Sequence, residues 1–480
     1  MRWGAVVVGS GIGGLACAGM LAAGGRKVVV LEQAASPGGY LSSFRRGEFR
    51  FDSAVDCIAG LDPDGLLTWL LRALRQDAHA APIRLDPIRI SRFPDLAVPV
   101  DASLSAYRER LCGLFPAERS GLAAFFRRAD EIYADVEAML EAVREGKESS
   151  GELPAALVRY GPMTYGEFVG LDIRDRRLAA VLSDRSPFLG APPRRLSATR
   201  MVAMMMSYFR SGAFRPAGGH QRLPDLLTEG IRRMGGEVHC GRAATRILLQ
   251  GERCAAVVTE DGAEFPARQF VSNADCFETF ERLVGGDRGR AVLAGHRDRP
   301  VSPSFFIAYA AMRREGAPAA SSIGSFAGYD LDSLLDGYRP FSDADALGIT
   351  IPSVDDPSLA PPGYDVLAIH ELIPVGYRRD WERDREACLL QVLRKAERVL
   401  PELRRRLAHC EAATPATLER YTRNRGGAAY GWDQTPHLPR IRHGIANLHL
   451  VGHWGEIGGG VLAAAYSGMR VAARLLRLTA

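Results

Sequence analysis

The feature that most restricts the fold of this chain is a glycine-rich run near its start. Residues 4–25 read GAVVVGSGIGGLACAGMLAAGG and carry no charge. Such a stretch fits a signal peptide, a membrane span, or a strand, turn and helix built around a phosphate. The first two need an unbroken apolar helix. Gly9, Gly11, Gly13 and Gly14 would each cost that helix about 1 kcal/mol relative to alanine.

The third interpretation gives the glycines a purpose. Residues 5–8 are predicted to form a buried parallel strand, and residues 15–23 a helix of small residues. In the G-x-G-x-x-G pattern between them, Gly9 permits a tight turn, Gly11 lets the backbone approach a pyrophosphate, and Gly14 lets the helix pack closely. The pyrophosphate would sit on free N–H groups at the helix N-terminus.

An acidic residue follows at the expected distance. A second strand is predicted over residues 27–31, and Glu32 comes directly after it, followed by Gln33. The Glu32 carboxylate can accept hydrogen bonds from both hydroxyls of an adenosine ribose, which disfavours a nucleotide with a 2′-phosphate. We therefore predict a dinucleotide site that includes Glu32 and Gln33.

Two further glycine segments favour FAD over NAD. Gly38, Gly39 and Tyr40 follow the acidic residue, where a ribityl chain and a flavin ring need extra backbone to lie against. Near the other end, residues 448–451 are predicted to form a strand, followed by a loop that carries more glycines. A final helix is predicted from Val461, with its positive dipole end directed at the flavin. The predicted cofactor contacts in this loop and helix are Gly452, Gly459, Gly460 and Val461.

Four segments together resemble a known group of flavoproteins. They are VVVGSGIGGLACAGMLAAGGRKVVVLEQAASPGGYLSSFRRGEFRFD, FRPAGGHQRLPDLLTEGIRRMGGEV, ATPATLERYTRNRGGAAYGW and NLHLVGHWGEIGGGV. The chain resembles the phytoene desaturase, carotenoid isomerase and retinol saturase-like FAD-dependent oxidoreductases, within the wider amine-oxidase-like flavoprotein superfamily. It departs from their pattern at Tyr40, often Arg or Lys in that group, and at Ile457 and Leu462, where many members have proline. His453 and Trp454 stand where many related flavoproteins have an acidic residue that contacts FAD.

The resemblance implies an α/β fold in which a Rossmann-type, glutathione-reductase-like FAD-binding domain carries an inserted α+β substrate domain. The FAD-binding domain would be assembled from residues 1–75, 215–290 and 420–480, and the substrate domain from residues 76–214 and 291–419. The resemblance also implies noncovalent FAD and places Ala244 near the adenine. The chemistry would be desaturation, saturation or isomerisation of carbon–carbon double bonds in an apolar polyene or isoprenoid.

In a flavoenzyme the protein mainly positions the substrate against the flavin, so a catalytic triad is not required. His453 and Trp454 are candidates for tuning the ring, with Glu456 as a second proton carrier. The alternative is that Trp454 only packs and His453 caps a backbone carbonyl. Tyr430 and Trp432 are candidate aromatic walls.

The sequence also predicts parts of the substrate domain. Residues 104–143 have helical apolar spacing, and residues 148–162 form a surface connection rich in Ser, Gly and Pro. A methionine-rich segment suits either a pocket for a flexible hydrocarbon or ordinary core packing. Its members are Met201, Met204, Met205 and Met206.

The composition of the chain limits which kinds of binding partner are expected. The net charge of +5 is spread along 480 residues, which favours solvated helix faces over a nucleic-acid site and permits transient peripheral contact with anionic membranes. Eight cysteines and ten histidines lack metal-ligand spacing, so we expect reduced thiols in a cytoplasmic protein and no metal site. The oligomeric state stays open.

Two other functions remain at this point. One is a specialised-metabolism enzyme, such as an NADPH-dependent reductive cyclase of a polyene polyketide–peptide hybrid. The other is an amine oxidase, against which the Met-rich segment argues. No second G-x-G-x-x-G is present for a nicotinamide, so NADPH would act only by transient docking.

Overall fold

The computed structural model describes residues 2–147, 153–316, 320–336, 338–342 and 346–477. The strands in chain order are β1 Trp3–Val8, β2 Val28–Leu31, β3 Ser43–Arg46, β4 Phe49–Asp52, β5 Pro82–Arg84, β6 Arg89–Phe93, β7 Leu96–Val100, β8 Phe214–Pro216, β9 Glu237–His239, β10 Ala244–Gln250, β11 Arg253–Thr259, β12 Glu264–Ser272, β13 Ser304–Arg313, β14 Ser322–Ser325, β15 Leu347–Thr350, β16 Tyr364–Ile373, β17 Leu407–Ala413 and β18 Leu448–Leu450.

The α-helices alternate with these strands. They are α1 Ile12–Ala23, α2 Leu66–Ala73, α3 Leu104–Leu114, α4 Arg119–Arg144, α5 Ala155–Tyr160, α6 Tyr165–Gly170, α7 Arg176–Leu182, α8 Ala198–Arg210, α9 Arg222–Arg233, α10 Gly286–Leu293, α11 Leu331–Asp336, α12 Trp381–Ala396, α13 Leu403–Arg406, α14 Pro415–Thr422 and α15 Val461–Arg477.

The first large sheet is built around β1. Its strand order is β10-β11-β12-β1-β2-β9, and β18 also pairs with β12. Strand β1 runs parallel to β2 and to β12, with Val6 opposite Val29 and Phe270. The valines of β1 and β2 are buried on both sheet faces, as expected for a parallel sheet covered on both sides. Burial of these valines and of helix α1 explains why residues 4–25 carry no charge.

Helices α1 and α15 lie together on one face of this sheet. A Cβ atom on Gly468 of α15 would come within 2.0 Å of the Gly13 carbonyl oxygen of α1. The two helices therefore approach this closely because residue 468 is glycine and has no Cβ atom. Their N-termini, from opposite ends of the sequence, start at the same side of the sheet.

The second large sheet has the order β17-β13-β16-β15-β14-β6-β7. Its pairs are antiparallel except β14 with β6, where Gly324 lies opposite Ser91. Helix α12 packs on one face through Val392 and Leu393. Helices α3 to α8 form a separate apolar cluster that includes Phe125 and Phe126.

The fold class predicted from the sequence is confirmed, because a Rossmann-like sheet is joined to a second α+β region. The first sheet takes its strands from residues 3–31, 237–272 and 448–450, and the second from residues 89–100 and 304–413. This distribution supports the domain division given above, whose boundaries stay a proposal.

The helical spacing predicted over residues 104–143 is confirmed. The stretch forms two helices, α3 and α4, because Pro116 begins a separate turn between them. The predicted connection 148–162 contains helix α5, while residues 148–152 lie outside the described part. Across the described ranges, none of the helices combines the length and the apolar character that crossing a bilayer requires.

Candidate active site

A single cavity of about 910 Å³ joins the two sheets, within the size range of small-molecule and cofactor sites. Its lining includes glycines of the nucleotide-binding turn at one part and apolar side chains of the second sheet at another. The predicted site residues can therefore be compared with its walls.

The first glycine turn forms part of this wall. Gly9, Gly11 and Gly13 line the cavity, and the N–H of Gly9 donates to the Leu31 carbonyl at 2.8 Å. Gly9 has a φ of +92°, which favours glycine. Gly14 does not line the cavity, because a Cβ there would lie 2.1 Å from the Gly9 carbonyl oxygen. Gly14 thus permits close packing of helix and strand, the role predicted for it.

Glu32 is buried at the end of β2 and lines the cavity together with Gln33. One of its carboxylate oxygens accepts hydrogen bonds from the Ser10 N–H at 2.8 Å and the Ser10 hydroxyl at 2.6 Å. The other accepts from the Ala34 N–H at 2.8 Å. An ionised carboxylate offers about four lone-pair positions, so Glu32 orients the glycine turn and keeps capacity for a ligand.

The second glycine segment lies against the first. Gly38 pairs with Gly11 in a parallel bridge, and its N–H donates to the Ser10 carbonyl at 3.1 Å. Gly39 and Tyr40 line the cavity next to it. The Tyr40 hydroxyl donates to the Ala428 carbonyl at 3.0 Å, which ties this segment to the C-terminal part of the chain.

The C-terminal loop reaches the same place. Gly452, Gly459, Gly460 and Val461 all line the cavity, and Val461 begins α15. A Cβ on Gly452 would lie 2.4 Å from the Asn273 side-chain oxygen. The loop is therefore held against β12 and α1 by contacts that only glycine allows.

Asn273 joins these segments, and sequence reasoning missed it. It follows β12, and its amide would be 2.6 Å from a Cβ on either Gly11 or Gly13. The available signal was a pair of polar residues directly after the apolar residues 270–271 in the segment FVSNAD, residues 270–275. Ala244, at the start of β10, also lines the cavity.

The predicted tuning residues separate into two groups. His453 and Tyr430 line the cavity. Burial lowers the pKa of His453 to about 4, so its ring is neutral near pH 7. Its Nε2 lies 3.3 Å from the Asn424 side-chain oxygen. His453 is thus positioned to present a neutral imidazole to a ligand.

Trp454, a candidate for tuning the ring, and Trp432, a candidate aromatic wall, do not reach the cavity. Both indoles are buried in the core beneath the first sheet, with ring centroids 5.2 Å apart, and neither lines the cavity. The Trp454 Nε1 donates to the same Asn424 oxygen at 2.9 Å. The packing alternative therefore holds for Trp454, because its side chain leaves the loop on the side away from the cavity.

Glu456 lies at the rim. It contributes to the cavity wall, but its side chain is 41% exposed and pairs with Arg440 at 2.7 Å and Arg470 at 3.0 Å. A proton-carrying role for Glu456 would have to compete with these two ion pairs.

The methionines of the Met-rich segment also differ in whether they reach the cavity. Met204 lines the cavity, whereas Met201, Met205 and Met206 pack into the helical core. The pocket interpretation therefore applies to one methionine of the four.

The opposite wall carries a row of rings in which the predicted wall residue Tyr430 is joined by Phe305 and His370, which the sequence did not reveal. The rings of Phe305 and His370 meet edge to face at 6.1 Å, and Phe305 meets Tyr430 at 6.3 Å. All three line the cavity. Burial lowers the pKa of His370 to about 4, so this histidine is also neutral near pH 7.

Apolar side chains complete this wall, contributed by β15, β16 and α11. They are Leu335, Leu347, Ile349 and Leu372. The cavity therefore combines a glycine-rich backbone cradle with a mainly hydrocarbon surface.

Comparisons with known proteins agree with this arrangement. A family profile described as an NAD(P)-binding Rossmann-like domain matches residues 7–74. Prolycopene isomerase from Arabidopsis thaliana is 26% identical over 98% of this chain and 82% of its own length. Phytoene desaturase (neurosporene-forming) from Rhodobacter capsulatus is 26% identical over 98% and 93%. All-trans-retinol 13,14-reductase from Danio rerio is 24% identical over 93% and 82%.

Solved structures share the fold. An oxidoreductase from Methanosarcina mazei superposes with a TM-score of 0.67 at 17% identity, over 98% of this chain and 99% of its own. Cyclohexylamine oxidase from Brevibacterium oxydans gives a TM-score of 0.59 at 13% identity, over the full length of both chains. The resemblance drawn from the four sequence segments is confirmed.

Proposed function

We propose that this chain is an FAD-dependent oxidoreductase that acts on carbon–carbon double bonds of an apolar polyene. The observation that carries the proposal is the continuity of the cavity, which places a glycine cradle and a hydrocarbon wall around one space. The relatives, named as an isomerase, a desaturase and a reductase of polyenes, support the same substrate class.

The residues present fit a flavin dinucleotide. Gly9, Gly11 and Gly13 present backbone to the cavity, and a Cβ on Gly11 or Gly13 would collide with the Asn273 side chain. Free N–H groups at the start of α1 suit a pyrophosphate. Glu32 suits the adenosine ribose. The start of α15 supplies a second positive helix end in the same cavity. None of these contacts requires a covalent link, so we propose noncovalent FAD.

When bound, the flavin supplies hydride transfer at its N5 position. The protein would hold the polyene against the flavin with the side chains of the second sheet and would exclude water. Tyr430 and Phe305 would limit the position of the chain from one side. Neutral His453 could accept or donate one hydrogen bond at the ring edge without adding charge.

The proposal is tested on protein purified in the dark and under nitrogen. The expected result is a yellow protein that releases FAD on denaturation and whose flavin spectrum changes on addition of a polyene such as prolycopene or retinol. Purified protein that contains no flavin and cannot be reconstituted with FAD would refute the proposal.

The same preparation separates the alternatives. Rapid bleaching by NADPH favours saturation or reductive cyclisation. Bleaching by the polyene alone favours desaturation, and change of double-bond geometry without net bleaching favours isomerisation. Hydrogen peroxide release with amines, and no response to polyenes, would instead identify an amine oxidase.

A further inference from the structure

The cavity wall contains one group of buried charges that a pure hydrocarbon substrate does not use. Arg89, at the start of β6, lines the cavity together with Asp184. The Arg89 Nε lies 3.4 Å from an Asp184 carboxylate oxygen, and both side chains are almost fully enclosed. Arg185 follows and is equally buried.

These guanidinium groups have spare donors. Within the described residues, Nη1 of Arg89 and both terminal nitrogens of Arg185 are buried and have no hydrogen-bond acceptor. The Arg89 Nε also lacks a hydrogen bond but faces Asp184, which accepts a hydrogen bond from Ser91. A buried donor without a partner is costly, so an arrangement with three such atoms implies a ligand or solvent that completes it.

The surrounding residues hold Arg89 in place. Its guanidinium carbon lies 4.7 Å from the centroid of the Phe188 ring, while Arg185 stacks on Tyr208 at 4.6 Å. A Cβ on Gly324 would lie only 1.7 Å from the Arg89 Nη2. Gly324 and Phe188 also line the cavity, so Arg89 occupies a slot that exists because residue 324 has no side chain.

The same region contains further polar groups. Asp56, which lines the cavity, pairs with buried Arg215 at 2.6 Å and accepts from the Ser322 hydroxyl at 2.7 Å. Arg215 also pairs with Asp355, so Asp56 and Arg215 belong to a network that already has its partners. Arg89 lines the cavity whereas Arg185 does not, so the unpaired donor of Arg89 is the part of this cluster that a ligand in the cavity meets first.

We propose that this cluster binds an oxygen-bearing end group of the polyene, a carboxylate or a carbonyl. This inference rests on the proposed function and narrows its substrate class from polyene hydrocarbons to oxygenated polyenes. The oxygen would accept hydrogen bonds from Arg89, with Arg185 behind it, while the chain lies along the apolar wall. A charged or polar acceptor on a guanidinium forms a stronger bond than a neutral pair does.

The test compares chain-matched ligands on the FAD-loaded protein. Retinoic acid, retinal and the hydrocarbon with a methyl in place of the carboxyl are titrated, and dissociation constants are read from tryptophan fluorescence and from the polyene absorption band. We expect the acid, the aldehyde or both to bind at least ten-fold more tightly than the hydrocarbon. If the acid binds more tightly than the aldehyde, the cluster recognises the negative charge of the end group. If the two bind equally, it recognises the end-group oxygen by hydrogen bonding.

The double variant R89M/D184N removes both charges of the pair and should abolish this preference. Its matched control, R128M/D172N, removes an ion pair of 2.9 Å that does not line the cavity and should leave the preference unchanged. If the double variant fails to fold, G324A displaces Arg89 without removing its charge and should weaken binding of the oxygenated ligand.

Equal affinity for the hydrocarbon in the wild type, or a preference that persists in both R89M/D184N and G324A, would overturn the inference. Its failure is distinct from failure of the proposed function, because flavin content is measured on the same samples. A yellow protein without end-group preference refutes only the inference. A protein that binds no flavin refutes the proposed function, whatever its preference for ligands.

Discussion

The Glu32 carboxylate holds Ser10 by two hydrogen bonds to one oxygen, from the backbone N–H at 2.8 Å and from the hydroxyl at 2.6 Å. The residue assigned to the ribose thus also fixes the glycine turn assigned to the pyrophosphate. Loss of its carboxylate should therefore affect both parts of a bound dinucleotide.

Glu32→Ala should raise the dissociation constant for FAD by about ten-fold or more, equivalent to at least about 1.4 kcal/mol. The measurement is the flavin-to-protein ratio after gel filtration, followed by titration of the apoprotein. Glu229→Ala, at an exposed ion pair with Arg233 on α9, is the control and should retain flavin. Unchanged affinity in Glu32→Ala would contradict the assigned role.

Gly13→Ala should lower thermal stability and flavin retention together. The added Cβ would lie 2.7 Å from the Gly452 Cα and 2.6 Å from the Asn273 side-chain oxygen, an overpacking that costs about 1–3 kcal/mol. Gly113→Ala is the matched control, since nothing lies within 4 Å of its Cβ position in α3. That variant should be as stable as the wild type or gain about 0.5–1 kcal/mol. Equal melting temperatures in the two variants would contradict the packing described.

His449 should make the protein less stable as the pH falls below 6.5. Burial, with a smaller contribution from Arg474, lowers its pKa from 6.5 to about 3. Its Nδ1 accepts from Arg474 at 2.8 Å, and its Nε2 donates to Gln269 at 3.0 Å. Below pH 6.5 the histidine binds a proton in the unfolded chain but stays neutral in the folded protein. The free energy of unfolding is therefore highest above pH 6.5 and decreases as the pH falls towards the folded-state pKa, by at most about 1.4 kcal/mol per pH unit.

The check is the melting temperature at pH 7.5 and pH 5 for the wild type and for His449→Asn. The variant starts from a lower value because it loses hydrogen bonds, but it should lose less on acidification. A parallel decline of the two proteins would show that His449 does not titrate as described.

Trp454→Phe and Tyr430→Phe should have opposite effects. The buried Trp454 donates to Asn424, so its loss should destabilise the fold by about 1–3 kcal/mol and leave the flavin absorption spectrum unchanged. Tyr430 lines the cavity, so its replacement should alter the spectrum or turnover with little change in melting temperature. A shift of the flavin absorption spectrum in Trp454→Phe would contradict this prediction, because it would show that the Trp454 indole affects the flavin.

The glycine turn, Glu32 and the first sheet could be predicted because their signals are local. A glycine in a tight turn, a β-branched buried strand and an acidic residue at its end each follow from backbone geometry and solvation of a few neighbours. The C-terminal loop was predicted for the same reason, since its glycines and the following helix stand together in the sequence.

The directions of side chains could not be predicted in this way. Trp454 and His453 are adjacent, yet only His453 lines the cavity, because the direction of a loop side chain is decided by what packs against it. In α8, Met204 lines the cavity whereas Met205 enters the core. Helical spacing separates such faces but does not say which neighbour each face meets.

Arg89 and His370 were missed because long-range pairing creates their setting. The parallel pairing of β6 with β14 brings Arg92 opposite Ser325 across more than 200 residues. A lone arginine or histidine gives no sequence signal for a cavity wall. Only the register of the second sheet places these side chains there.

The contact between Gly13 and Gly468 has a consequence for biosynthesis. Helix α15, residues Val461–Arg477, supplies one wall of the cradle, although the opposing helix α1 is synthesised first. During synthesis, strand β1 and the glycine turn are made more than 400 residues before helix α15, so this wall of the cradle forms late. The cradle is therefore complete only after helix α15 has been synthesised and has packed against α1.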